Sequence, residues 1–237
     1  MASNADAQQT EAAAAKRGAA PQGRLTAAVA DLFPGYFALV MATGIVSIAA
    51  HLLGMPYIAW PLLAVNAAAY AVLWLLTIWR LAAFFGRVRQ DLRTHARGPG
   101  FLTLVAGTCV LGTQTLLVAG QRGAAWGLWL LGIGLWLLLI YSFFAAVITA
   151  EAKPPLEGGL NGGWLVVVVA TQSLVVLGAP LLGGMETPPD WAFLLVLCCY
   201  LLGCLLYLIL ITLIVYRLTF LPLSSAAFTP PYWISMG

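Results

Sequence analysis

The sequence predicts an all-α integral membrane protein, built as tandem transmembrane helical hairpins in parallel repeats around a pore. Three observations carry that expectation. The 237 residues are 62% apolar and 8% charged, whereas soluble domains carry about 25% charged residues. Charge-free intervals run over 32–79, 98–121, 123–150, 158–185 and 191–216, each long enough for the roughly 20 residues that cross ~30 Å of hydrocarbon. A glycine- or proline-led aromatic pattern returns about every 65 residues, at Gly35-Tyr36, Gly100-Phe101, Gly163-Trp164 and Pro231-Tyr232, which marks a unit used several times.

The elements follow in order. Residues 1–24 are Ala-, Gln- and Gly-rich without an apolar run, and read as a disordered cytoplasmic tail. The transmembrane domain occupies 25–237, with residues 25–33 forming a short interfacial helix that leads into Pro34. The first long interval holds two spans, 36–53 and 58–79, divided at Gly54-Met55-Pro56. Further spans lie near 101–120, 124–149, 163–182 and 191–216, and a seventh begins at 232. A charged connector, Arg80–Arg97, joins the first hairpin to the second, and a Pro/Gly-rich one, Lys153–Gly163, joins the second to the third.

Orientation follows from the positive-inside rule. With the N-terminus inside, cytoplasmic segments hold Lys16, Arg17, Arg24, Arg80, Arg87, Arg89, Arg93, Arg97, Lys153 and Arg217, while outside loops hold only Arg122. The basic residues are then topology determinants beside anionic lipid, and the net charge of +3 requires no nucleic-acid partner. The expected location is the plasma membrane, spanned several times.

Seven residues after each of the first three aromatics stand Thr43, Thr108 and Thr171. Seven residues are close to two helical turns, so aromatic and threonine share a face roughly 10 Å apart. Odd-numbered spans carry eleven Ser, Thr, Asn, Gln or His residues against five in the even ones, so the odd spans are expected to face an interior and the even ones lipid. The competing reading is that the hydroxyls join helices. Thr43, Gly44, Ser47, Thr108, Gly112 and Thr171 are the candidate pore-lining residues, the glycines allowing bends or close approach. Tyr36, Phe101, Trp164 and Tyr232 read as interfacial anchors.

Within the spans so drawn there is no Asp, Glu, Lys or Arg. That disfavours a proton-coupled carrier, which usually keeps an intramembrane ionisable group; His51 is the one candidate proton relay. The two histidines are far apart and the carboxylates lie in the tail or at span ends, so neither an acid/base pair nor a metal site can be assembled, and neither an enzyme nor a cofactor is expected. Cys109, Cys198, Cys199 and Cys204 read as small packing residues. A pathway lined by hydroxyls, helix ends and apolar side chains suits weakly held anions.

The segments Phe33-Pro34-Gly35-Tyr36-Phe37-Ala38-Leu39-Val40-Met41-Ala42-Thr43-Gly44, Leu160-Asn161-Gly162-Gly163-Trp164 with Ala170-Thr171-Gln172-Ser173, and Pro230-Pro231-Tyr232-Trp233-Ile234-Ser235-Met236-Gly237 resemble the tellurite-resistance/C4-dicarboxylate transporter family. That family includes slow-type anion channels, malate permease and sulfite exporters. The resemblance runs from about residue 31 to the end. It implies ten helices as five hairpins around a central pore lined by odd helices, a homotrimer when full length, and transport of small anions: C4-dicarboxylates such as malate, tellurite, sulfite or halide. It also implies a plugging phenylalanine on a ninth helix, for which the spans read here have no counterpart. With about three and a half hairpins, the chain is expected to be a C-terminally truncated member. The alternatives are a proton-coupled C4-dicarboxylate carrier and a non-conducting truncated membrane protein.

Overall fold

The computed structural model describes residues 24–222 and Tyr232. The expected tail and all but Tyr232 of the expected seventh span lie outside the described residues. The helices are α1 (Arg24–Ala30), α2 (Ala38–Leu52), α3 (Pro56–Ala83), α4 (Phe85–Arg93), α5 (Thr103–Leu117), α6 (Arg122–Ile148), the single turn α7 (Leu156–Gly159), α8 (Val166–Gly183) and α9 (Asp190–Phe220). Among the described residues there is no strand. Six helical stretches are long and apolar enough to cross a membrane: 34–52, 56–83, 98–117, 122–148, 162–183 and 190–220. The protein is thus an all-α membrane protein, and its described residues form three hairpins, α2–α3, α5–α6 and α8–α9.

The repeated aromatic motif has a definite shape. Each odd span opens on a 3₁₀ turn, Pro34–Phe37, Gly98–Leu102 or Gly162–Leu165, that runs directly into its α-helix. Tyr232, the aromatic of the fourth copy, also lies in a 3₁₀ turn. Glycine is needed there because the turns touch through their backbones: a Cβ on Gly100 would sit 3.1 Å from the Gly35 amide nitrogen. The Thr103 hydroxyl lies 3.2 Å from the Pro34 carbonyl and 2.7 Å from that of Gly100, fastening the second turn to the first. At the opposite end of the first two hairpins, Gly54 and Gly120 take left-handed backbone (φ 73° and 66°), which only glycine adopts without strain.

Burial alternates along the chain. The odd spans are 33%, 72% and 67% buried, the even spans 6%, 22% and 17%. The odd helices α2, α5 and α8 therefore stand inside, with α5 packed against both α2 and α8. The even helices α3, α6 and α9 form the outer jacket.

The helices α3 and α9 overrun the ends expected at 79 and 216, and so take in Arg80 and Arg217. Both arginines are nearly buried, at 4% and 5% exposed, and both are held in their last turn. The Arg80 guanidinium donates to the Asp91 carboxylate at 2.5 Å and to the Ala30 carbonyl at 3.3 Å; Arg97 meets the same carboxylate at 3.4 Å. Arg217 donates to the Leu160 carbonyl and lies 5.6 Å from the centre of the Tyr232 ring. Both charges thus stay in terminal turns, where an ion pair reaches Arg80 and a carbonyl and an aromatic ring reach Arg217. His95, in the charged connector, is half-buried with its ring 5.8 Å from that of Trp164. Burial first, then the nearby Lys153 charge, hold it below the ordinary histidine pKa.

Removing one member of a buried ion pair strands the other charge. Asp91→Ala should therefore lower stability by about 3–5 kcal/mol in a denaturant titration in micelles, and the paired change of Arg80 and Asp91 to leucine by distinctly less.

Candidate functional site

The three inner helices enclose a groove of ≈340 Å³. Its lining follows the repeat. Counted from the aromatic that opens each span, positions five, nine and twelve residues on are Met41, Ile45 and Ile48 in α2, and Val169, Ser173 and Val176 in α8, all of which line it. In α5 the equivalents at nine and twelve, Val110 and Thr113, do so as well. Gln172 adds an amide and Tyr207 reaches in from α9. One face of each odd helix, repeated three times, makes the site.

No charged side chain lines this groove. Its polar groups are those of Thr113, Gln172, Ser173 and Tyr207. The Thr113 hydroxyl donates to the Cys109 carbonyl at 3.0 Å, and the Ser173 hydroxyl to the Ala170 carbonyl at 2.7 Å. Gln172 Nε2 donates to the Tyr200 carbonyl at 3.2 Å and to the Cys204 sulfur, a weak acceptor, at 3.8 Å. A hydroxyl that turns from its own helix carbonyl to an anion exchanges one bond for another, because that carbonyl keeps its backbone N–H partner.

The threonines seven residues after the aromatic sit elsewhere. At 100° per residue, position seven is on nearly the opposite side of the helix from positions five, nine and twelve. Thr108 and Thr171 are both fully buried against the jacket. Thr108 gives its hydrogen to the Leu104 carbonyl (2.7 Å) and accepts from the Tyr70 hydroxyl at 2.9 Å. Thr171 gives its hydrogen to the Val167 carbonyl (2.9 Å) and accepts from the Trp136 indole N–H at 3.0 Å. In both cases an aromatic donor on the preceding even helix clamps a threonine on the next odd one. Thr43, in the first copy, is half-buried and follows no even helix among the described residues.

The remaining candidates also lie at helix junctions. The Ser47 hydroxyl donates to the Ala59 carbonyl at 2.7 Å, within the first hairpin. Gly44 lets α3 and α5 close in: a Cβ there would fall 2.5 Å from Val110 Cγ1 and 3.0 Å from Asn66 Nδ2. Asn66, also fully buried, donates to Gln114 Oε1 at 2.8 Å. A Cβ on Gly112 would fall 2.4 Å from Leu177 Cδ2, so this glycine admits a leucine of α8. His51 is half-buried in the last turn of α2. None of these residues, nor any of the three repeat threonines, lines the groove. Among the described residues no group of three or more His, Cys, Asp or Glu is placed to hold a metal.

Ser173, Thr113 and Gln172 stood in the polar count of the odd spans but were not singled out. The signal that finds Ser173 and Thr113 is the repeat register itself, read at nine and twelve residues from the aromatic instead of seven; Gln172, eight residues on, lies outside it. The apolar lining residues carry no signal of their own.

The clamp makes a quantitative expectation. Interhelical hydrogen bonds in membranes average about 0.6 kcal/mol by double-mutant cycle. The pair Trp136→Phe and Thr171→Val should show a coupling of that order in unfolding measurements, each single change lowering stability.

No curated protein and no solved structure gives a significant match to the chain. The sequence model of one family, SLAC1, described as voltage-dependent anion channel, matches residues 31–237. That stretch takes in all three opening turns, all six spans and the groove between them, and the chain therefore belongs to the voltage-dependent anion channel family.

Proposed function

We infer that the general function of the chain is the anion transport across a membrane that membership of this family implies. We propose that the groove between α2, α5 and α8 is this chain's share of the anion pathway, working as a channel-like passage and not as a proton-coupled carrier. The single observation that carries this reading is the lining set by the repeat: the same register on successive odd helices faces one groove, and no charged side chain lies on it.

A passage of this kind works through weak contacts. An anion leaving water needs donors to replace part of its hydration, and the Ser173 and Thr113 hydroxyls with the Gln172 amide are those donors. A lysine or arginine in the groove would hold the ion and slow its exit. The apolar positions Ile45, Val110 and Val176 keep the passage narrow and limit hydration. Small anions such as halide, sulfite, tellurite or a C4-dicarboxylate like malate are the proposed cargo, crossing the plasma membrane with the connector side in the cytoplasm. Thr108 and Thr171 serve this passage indirectly, by fixing the rotation of α5 and α8. The protein is proposed to act as a homotrimer.

Flux into proteoliposomes tests the assignment. In a background with Cys198→Ser and Cys204→Ala, Ser173→Cys should lose most of its anion uptake after treatment with a negatively charged, membrane-impermeant thiosulfonate. Thr171→Cys should be indifferent to the reagent. Unchanged uptake after labelling of Ser173→Cys has been verified by mass would remove the groove from the pathway.

A further inference from the structure

A second cavity, of ≈480 Å³, opens on the outer jacket, away from the groove. It lies between α3 and α6 and is floored by the first entry turn. Along α3 it follows Leu73 to Leu81, and along α6 Leu135 to Ser142; at 1.5 Å per residue each wall is about 10–12 Å long. The crevice thus runs parallel to the spans, nearly all apolar, from the connector end toward the middle of the hydrocarbon.

Its mouth is built by α4. This nine-residue helix places Phe85, Val88 and Leu92 on the crevice, a spacing of three and four that defines one helical face. Beside that face stand Arg89 and Arg93, both exposed and one turn apart. The other charges nearby are already neutralised. Asp91 is occupied by Arg80 and Arg97, and Arg87 meets Asp31 at 2.7 Å. Arg89 and Arg93 enter no ion pair among the described residues. The site therefore pairs an apolar slot along the membrane normal with a helix at its mouth that carries two arginines outside any ion pair among the described residues. The complementary molecule is an amphiphile with a negative head.

We propose that this crevice is a binding site for one anionic phospholipid, an acyl chain lying between α3 and α6 and the phosphate engaged by Arg89 and Arg93. Basic residues at the surface contribute to anionic-lipid attraction, and pockets between spans on a basic side suit such headgroups. The slot gives the site its chain selectivity and the arginines its headgroup selectivity. The α3–α6 junction that the lipid fills also backs Phe37 and Leu104, two residues of the inner spans.

Native mass spectrometry of the full chain in micelles, titrated with phosphatidylglycerol or phosphatidylcholine, tests the proposal. One phosphatidylglycerol per chain should be retained, and phosphatidylcholine should not. Arg89→Gln with Arg93→Gln should weaken retention by roughly fivefold per arginine. Leu138→Trp, a substitution at an exposed position of the rim, should obstruct the slot and abolish retention while leaving the melting temperature in lipid-free micelles unchanged. Equal retention of the two lipids, or retention indifferent to all three substitutions, overturns it. So does an oligomer that Leu138→Trp splits without any effect of lipid, because a second copy of the chain would then cover the crevice.

Discussion

A hydroxyl buried in hydrocarbon must be hydrogen-bonded, and in this fold that requirement sets the rotation of the inner helices. Thr108 and Thr171 each accept from an aromatic donor carried by the even helix before them, Tyr70 and Trp136. With position seven of the repeat held against the jacket, positions five, nine and twelve face the other way, into the space shared by α2, α5 and α8. The lining of the groove is a consequence of where the clamps are.

The same logic explains why small residues recur where they do. Gly35 and Gly100 bring two entry turns into backbone contact, and Gly44 and Gly112 let neighbouring side chains reach across a junction. Without these, the odd spans would stand farther apart and the polar atoms between them, such as Asn66 and Gln114, would lose the distances that pair them. Close packing and polar pairing support one another. In a membrane, where burial of apolar surface does not drive helices together, those two are the main forces available.

Much of the architecture was legible in the sequence because it rests on one-dimensional signals. The apolar helices lie within a few residues of the spans that charge-free length suggests, and the odd spans, richer in polar side chains, are the more buried ones. Arg80 and Arg217 look like solvent-facing stops in sequence, which shortens the expected spans two and six; their partners, Asp91 11 residues on and the Leu160 carbonyl 57 residues back, come from the connectors. The site was harder to read. Thr43, Thr108 and Thr171 recur conspicuously, but recurrence alone does not say which neighbour a face meets. Tyr70 and Trp136 sit 38 and 35 residues before the threonines they hold, and no local pattern announces that pairing. Groove residues such as Ile45 and Val176 are indistinguishable in sequence from lipid-facing ones.

The central claim is rotational: position seven of the second and third odd spans faces the jacket and positions nine and twelve face the proposed path. Spin labels placed one at a time along residues 166–177 of the membrane-embedded protein, read for collision with a water-soluble paramagnetic reagent, measure that rotation directly. Accessibility should rise at 169, 173 and 176 and fall at 167, 171 and 174. A maximum at 171, or a profile with no helical period, would contradict the account.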